Sequence, residues 1–182
     1  NYKNVLSAIE KITQLDGLNF SPKRITLSTV GVPKMIKRLA DDKVKFNLAV
    51  SLHSVINDIR SSIMPINDSA PIEELTESLV YWYRLTRRKI TFEYVVWKEI
   101  NDKIEDVEAL VKLCKQVPSK VNLIEYNFIG DKRFKRAENK SIDLYRRKLK
   151  ENGISAHIRK SRGEDIDAAC GQLANKTGVS LN

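Results

Sequence analysis

Two cysteines, two histidines and a few hydroxyl and amide side chains at the ends of apolar runs are the residues of this 182-residue chain best suited to chemistry. Cys170 stands in Asp165-Ile166-Asp167-Ala168-Ala169-Cys170-Gly171-Gln172-Leu173, with Gly163 and Gly171 on either side allowing an irregular backbone. A thiol reacts there only as its thiolate, which Arg159, Lys160 and Arg162 favour and Asp165 and Asp167 oppose. Local charge does not decide between a nucleophile and an inert loop thiol. Cys114 belongs to an apolar helical stripe and reads as core. His53 has no second histidine or carboxylate at metal-ligand spacing, so zinc has little support, and a ligand contact and a loop-fixing role both stay open. Thr26-Leu27-Ser28-Thr29-Val30-Gly31 lacks both the Walker lysine pattern and a GxGxxG spacing, which argues against a nucleotide phosphate loop. Its hydroxyls suit a ribose, a carboxylate or the cap of the next helix. Two cysteines cannot ligate an iron–sulfur cluster alone, so any cluster takes ligands from elsewhere.

The elements that must position these groups follow from periodicity. Runs rich in β-branched residues at 24–29, 46–52, 90–96, 121–127 and 156–160 predict five strands. Helical spacing links Tyr2, Val5, Leu6 and Ile9, then Met35, Ile36 and Leu39 behind Pro33. A longer helix carries Ile72, Leu75, Leu79 and Tyr83, with Pro71 expected at its first position and Glu73 and Glu74 near the positive end of its dipole. Another carries Val107, Leu110, Val111 and Cys114, with Asn101 or Asp102 expected as its cap, and the last carries Ile142, Tyr145 and Leu149 and stops at Gly153. The runs 47–50 and 92–96 lack clean polar alternation, which predicts strands covered on both faces and paired in parallel.

Alternating strands and helices predict one α/β domain, either an open doubly wound sheet or part of a β/α barrel, and periodicity does not choose between them. In both, ligands bind at the carboxyl ends of the strands. That rule selects Ser28, Thr29, Ser51, His53, Asn127 and Ser161-Arg162-Gly163. The polar run 130–140 is the nearest to a flexible connection. The first residues already read as a helix without an initiator Met, which predicts a start in the middle of a fold.

Net charge is +9, and residues 132–162 hold twelve basic against three acidic side chains, so the whole excess sits in one segment. Such confinement suits a surface facing phosphates, with a solvated helix face as the plainer alternative. No run approaches the roughly 20 apolar residues that cross a bilayer, and no apolar segment follows a basic start. The expected compartment is the cytoplasm.

Taken in order, Ile25-Thr26-Leu27-Ser28-Thr29-Val30-Gly31, Leu48-Ala49-Val50-Ser51-Leu52-His53, Ile63-Met64-Pro65-Ile66-Asn67, Phe92-Glu93-Tyr94-Val95, Asn122-Leu123-Ile124 through Asn127, and Ser161-Arg162-Gly163 through Leu173 resemble bacterial dual-specificity radical S-adenosylmethionine RNA methyltransferases. The resemblance covers nearly the whole chain, and its terminal block is the most specific part. It implies the C-terminal portion of a partial (β/α)6 barrel, with βα units over 1–130 and a basic segment, an extra strand and the cysteine loop over 131–182. It also implies methylation of adenine C2 in 23S ribosomal RNA and transfer RNA. By motif matching, Ser28, Ser51, Leu52, His53 and Asn127 resemble S-adenosylmethionine contacts, and Cys170 resembles the methyl-carrying cysteine. On that pattern Cys170 is methylated first. A radical from a second cofactor molecule then activates the S-methyl group for addition to C2, and an upstream cysteine releases the adduct by forming a disulfide.

The family's 4Fe–4S cluster ligands (CxxxCxxC), its GEP motif, the second catalytic cysteine and an N-terminal accessory domain lie upstream of the matching region. The resemblance therefore predicts that this chain alone is inactive, that an electron donor serves the cluster, and that the chain exposes an edge of its first strand and self-associates. A C8-directed adenine methyltransferase of the resistance type shares the 168–173 ending, but 161–167 fits the C2 group better. A non-catalytic RNA-binding module and a phosphate-sugar barrel enzyme are the rivals from other classes.

Overall fold

The computed structural model describes residues 1–128 and 130–159. Five strands form one parallel sheet: β1 (Thr26–Thr29), β2 (Asn47–Ser51), β3 (Ile90–Val96), β4 (Ser119–Glu125) and β5 (Ser155–Arg159). Helices α1 (Tyr2–Thr13), α2 (Pro33–Asp41), α3 (Asn57–Ile63), α4 (Ile72–Thr86), α5 (Ile104–Gln116) and α6 (Asn139–Glu151) connect or flank them. Spatial order equals chain order, β1-β2-β3-β4-β5. A doubly wound sheet reverses its order at a switch point, whereas a barrel wall winds in one direction, so the sequential order selects the barrel-type reading.

The core lies between the sheet and a layer in which α2 packs on α4, α4 touches α5 and α5 packs on α6. Leu48, Val50, Phe92, Tyr94, Val96, Val121 and Leu123 face it and are fully buried, together with Leu75, Leu79, Trp82, Leu110, Tyr145 and Leu149 from the helices. Each such side chain contributes about 1.5–3 kcal/mol of transfer free energy. The expectation of strands covered on both faces is corrected: among the described residues only one face meets the helices. The other presents Thr26 and Ser28 of β1, Asn47 and Ser51 of β2, Glu93 of β3, Asn122 of β4 and His157 of β5, all partly or largely exposed. Ala49 and Val95 on this same face hid the alternation, because apolar residues there break the polar pattern.

Local details also move. Pro71 is the N-cap of α4 rather than its first residue, with Glu73 and Glu74 in the first turn as expected. Lys103, not Asn101 or Asp102, caps α5, and the Asp106 carboxylate accepts the Lys103 N–H at 3.1 Å. Helix α3, only seven residues long, has no counterpart in the periodicity reading. Gly31, at φ +93°, makes the turn from β1 into α2 where a Cβ would lie 3.1 Å from Leu75 Cδ1. No helix of the described residues is long and apolar enough to cross a membrane.

Candidate functional site

At the carboxyl end of β1, Ser28 is exposed on the polar face, opposite Ala49. Thr29 serves the turn instead, since its Oγ1 accepts the Gly31 N–H at 3.1 Å. Ser51 closes β2, partly buried and in register with Glu93. Leu52 turns its side chain fully into the core, and its main-chain N–H donates to the Glu93 carbonyl at 3.0 Å, so it fixes the turn after β2.

His53 adopts a left-handed backbone, φ +58°. Its Nδ1 accepts the Val95 N–H at 3.1 Å, so the neutral ring carries its proton on Nε2. Burial, reinforced by the nearby Arg60 guanidinium, lowers its pKa to about 4 and keeps the ring neutral. The loop-fixing role is thus observed directly, and the ring edge also meets Trp97 at 5.5 Å between centroids. Asn127 is buried just past the end of β4. Cys170 and Ser161-Arg162-Gly163 lie outside the described residues.

Two buried side chains to which the sequence assigns no such role hold this end together. Arg60, fully buried on α3, donates from Nε to the Leu52 carbonyl at 3.2 Å, from Nη2 to the Val30 carbonyl at 2.8 Å and from Nη1 to Asn67 Oδ1 at 3.0 Å. It ties the loop after β1 to the loop after β2, and Asn67, from the Met64-Pro65-Ile66-Asn67 stretch, passes the network on to Asn57 and Ser61. Asn101, equally buried, donates to the His53 carbonyl at 2.6 Å and the Val95 carbonyl at 2.9 Å, and accepts the Trp97 N–H at 2.7 Å. Tyr145 of α6 donates to the Asn101 carbonyl at 2.7 Å, which anchors the loop after β3 to the helix layer.

On the polar face Glu93 accepts from Asn122 Nδ2 at 2.8 Å and from Arg159 Nη1 at 3.3 Å. The only sequence signal for this trio was the position of each residue, at period two within its own strand. Cys114 is buried in the core, as expected, and desolvation raises its pKa to about 11, which favours the neutral thiol. No group of three or more His, Cys, Asp or Glu among the described residues could hold a metal ion. The described residues therefore do not fit an iron–sulfur cluster. Hydroxyls, amides and a carboxylate gathered at one end of a parallel sheet do fit a zwitterionic nucleoside such as S-adenosylmethionine.

No protein-family model matches the chain. A radical SAM methyltransferase from Sphaerobacter thermophilus is similar in structure, with a TM-score of 0.90 and 38% identity over 94% of this chain and 50% of that one. A domain of pyruvate-formate lyase-activating enzyme from Bacteroides vulgatus, 10% identical at a TM-score of 0.66, shares the fold alone. The fold is accordingly the one adopted by about half of that radical SAM methyltransferase.

In sequence the chain is 62% identical over 176 residues to a protein of Flavobacterium psychrophilum and 59% identical over 177 residues to one of Christiangramia forsetii, each named probable dual-specificity RNA methyltransferase RlmN. It is a homologue of these proteins over 97% of its own length. The chain spans about half the length of the curated relatives it matches.

Proposed function

We propose that the protein containing this chain methylates C2 of adenine in 23S ribosomal RNA and in transfer RNA. The observation that carries the reading is identity near 60% over 97% of the chain with proteins named as dual-specificity RNA methyltransferases. The strand-end chemistry supports it. Ser28 and Ser51 offer hydroxyls to S-adenosylmethionine, and Leu52 and Asn127 lie just past the ends of β2 and β4. His53 contributes through its turned backbone, whose carbonyl Asn101 holds in place.

S-adenosylmethionine supplies an electrophilic methyl group when bound. The Cys170 thiolate would take that methyl by displacement, with S-adenosylhomocysteine as the leaving group, so the thiol proton must leave before the sulfur attacks. The family implies a 4Fe–4S cluster, and its ligands, an electron donor and an N-terminal accessory domain are assigned to the rest of the protein. The basic segment 132–162 faces the RNA, whose backbone contacts offset the cost of unstacking the target base. The compartment is the cytoplasm, where both RNAs reside.

Mapping the methylated carbon in ribosomal and transfer RNA treated with the full-length protein tests this reading. The expected product is 2-methyladenosine. Methyl groups confined to C8, or none on either RNA, would overturn it.

A further inference from the structure

The loop that follows β4 folds back across the end of β3. Lys98 N–H donates to the Lys135 carbonyl at 2.9 Å, and Trp97 pairs with Arg136 in an isolated antiparallel bridge. This loop borders an open cleft of about 520 Å³ lined by Tyr126, Phe128, Lys132, Phe134, Lys135 and Arg136. That volume lies within the usual range for small-ligand sites. Its back wall is an aromatic cluster in which Trp97 lies 5.1 Å from Phe134 and 6.1 Å from Tyr126 between ring centroids. The Arg133 guanidinium stacks over Phe134 at 5.3 Å. Phe128 is 56% exposed at this cleft. The Trp97 indole N–H, buried beneath the cluster, finds no acceptor among the described residues.

Position gives the cleft its meaning. Trp97 touches His53 on its other side, so one ring separates the cleft from the turn at the end of β2. Arg136 is neutralised by Glu125 and Arg133 by Asp131, while Lys132 and Lys135 enter no salt bridge among the described residues. An exposed aromatic ring beside unneutralised lysines is what an unpaired nucleotide needs, with the ring for the base and the cations for the phosphates. An acidic peptide would use the lysines and leave the ring idle.

We infer that this cleft is a stacking site for one unpaired nucleotide of the RNA, with Phe128 as its platform and Lys132 and Lys135 as its phosphate contacts. The inference rests on the RNA reading above and adds the nucleotide-binding residues to it.

The test uses the full-length protein and two labelled probes, a single-stranded hexa-adenylate and the same backbone with its bases removed, followed by fluorescence anisotropy over a range of salt. The hexa-adenylate is expected to bind the wild type about tenfold more tightly than the abasic strand, a ratio suited to one base stacked on one ring. Phe128→Ala should abolish most of that ratio, and Phe128→Tyr should keep it. Lys135→Ala should weaken both probes equally and lower the salt slope by about one. Equal loss for both probes in Phe128→Ala, an unchanged ratio, or displacement by polyglutamate as effective as by RNA would each overturn the inference. Base-dependent binding without any methyl transfer would defeat the functional reading and spare the cleft. Normal methyl transfer with an unchanged KM in Phe128→Ala would do the reverse.

Discussion

Single side chains decide whether the strand ends form a site at all, and the deciding ones are buried polar groups bonded to main chain. Asn101 satisfies three backbone groups at once, so Asn101→Ala strands one N–H and two carbonyls inside the protein. A loss of about 2–4 kcal/mol is expected, read as a lower urea midpoint with an unchanged slope. His53 contributes with a defined pH dependence. Its folded pKa of about 4 lies below the unfolded value of about 6.5, so the unfolded chain binds the extra proton between those values. The contribution is complete above pH 6.5 and fades as pH falls toward 4, by at most about 1.4 kcal/mol per unit. His53→Asn should flatten the pH dependence of the urea midpoint in that window, and identical curves for the two proteins would refute the assignment.

At the scale of elements, the turn from β1 into α2 is the tightest constraint near the site. Gly31→Ala forces a side chain into φ +93° against Leu75, with an expected cost of about 1–3 kcal/mol in chemical denaturation. All five strands were legible in the sequence because β-branched runs stand out between helical periods, and β3 matches its expected bounds residue for residue. The polar inner face was not legible, because Ala49 and Val95 interrupt the alternation on which Ser51, Glu93 and Asn122 depend. The cap of α5 was misplaced for a related reason. Asn101 has the right residue type for a cap, yet the loop after β2 recruits its amide across 48 residues of chain. Arg60 was equally hidden, since its hydrogen bonds go mostly to carbonyls and no local pattern announces them. The positions of Ser28, Ser51 and Asn127 near strand ends were legible because the rule that selects them concerns strand ends rather than contacts.

Across the whole molecule, among the described residues β1 is a sheet edge that pairs with β2 alone, and Leu15, Leu18, Phe20 and Val30 are exposed in the segments on either side of it. An open edge beside apolar side chains invites pairing, so the 182-residue chain is expected to self-associate at micromolar concentration. Sedimentation velocity checks this, and a monomer at the highest soluble concentration would count against it. The account as a whole turns on a methyl group passing through one sulfur. Peptide mass spectrometry on the full-length protein, isolated with its cofactor, is predicted to find a methyl on Cys170, and Cys170→Ala is predicted to leave RNA unmethylated. Undiminished RNA methylation by the Cys170→Ala protein would contradict it.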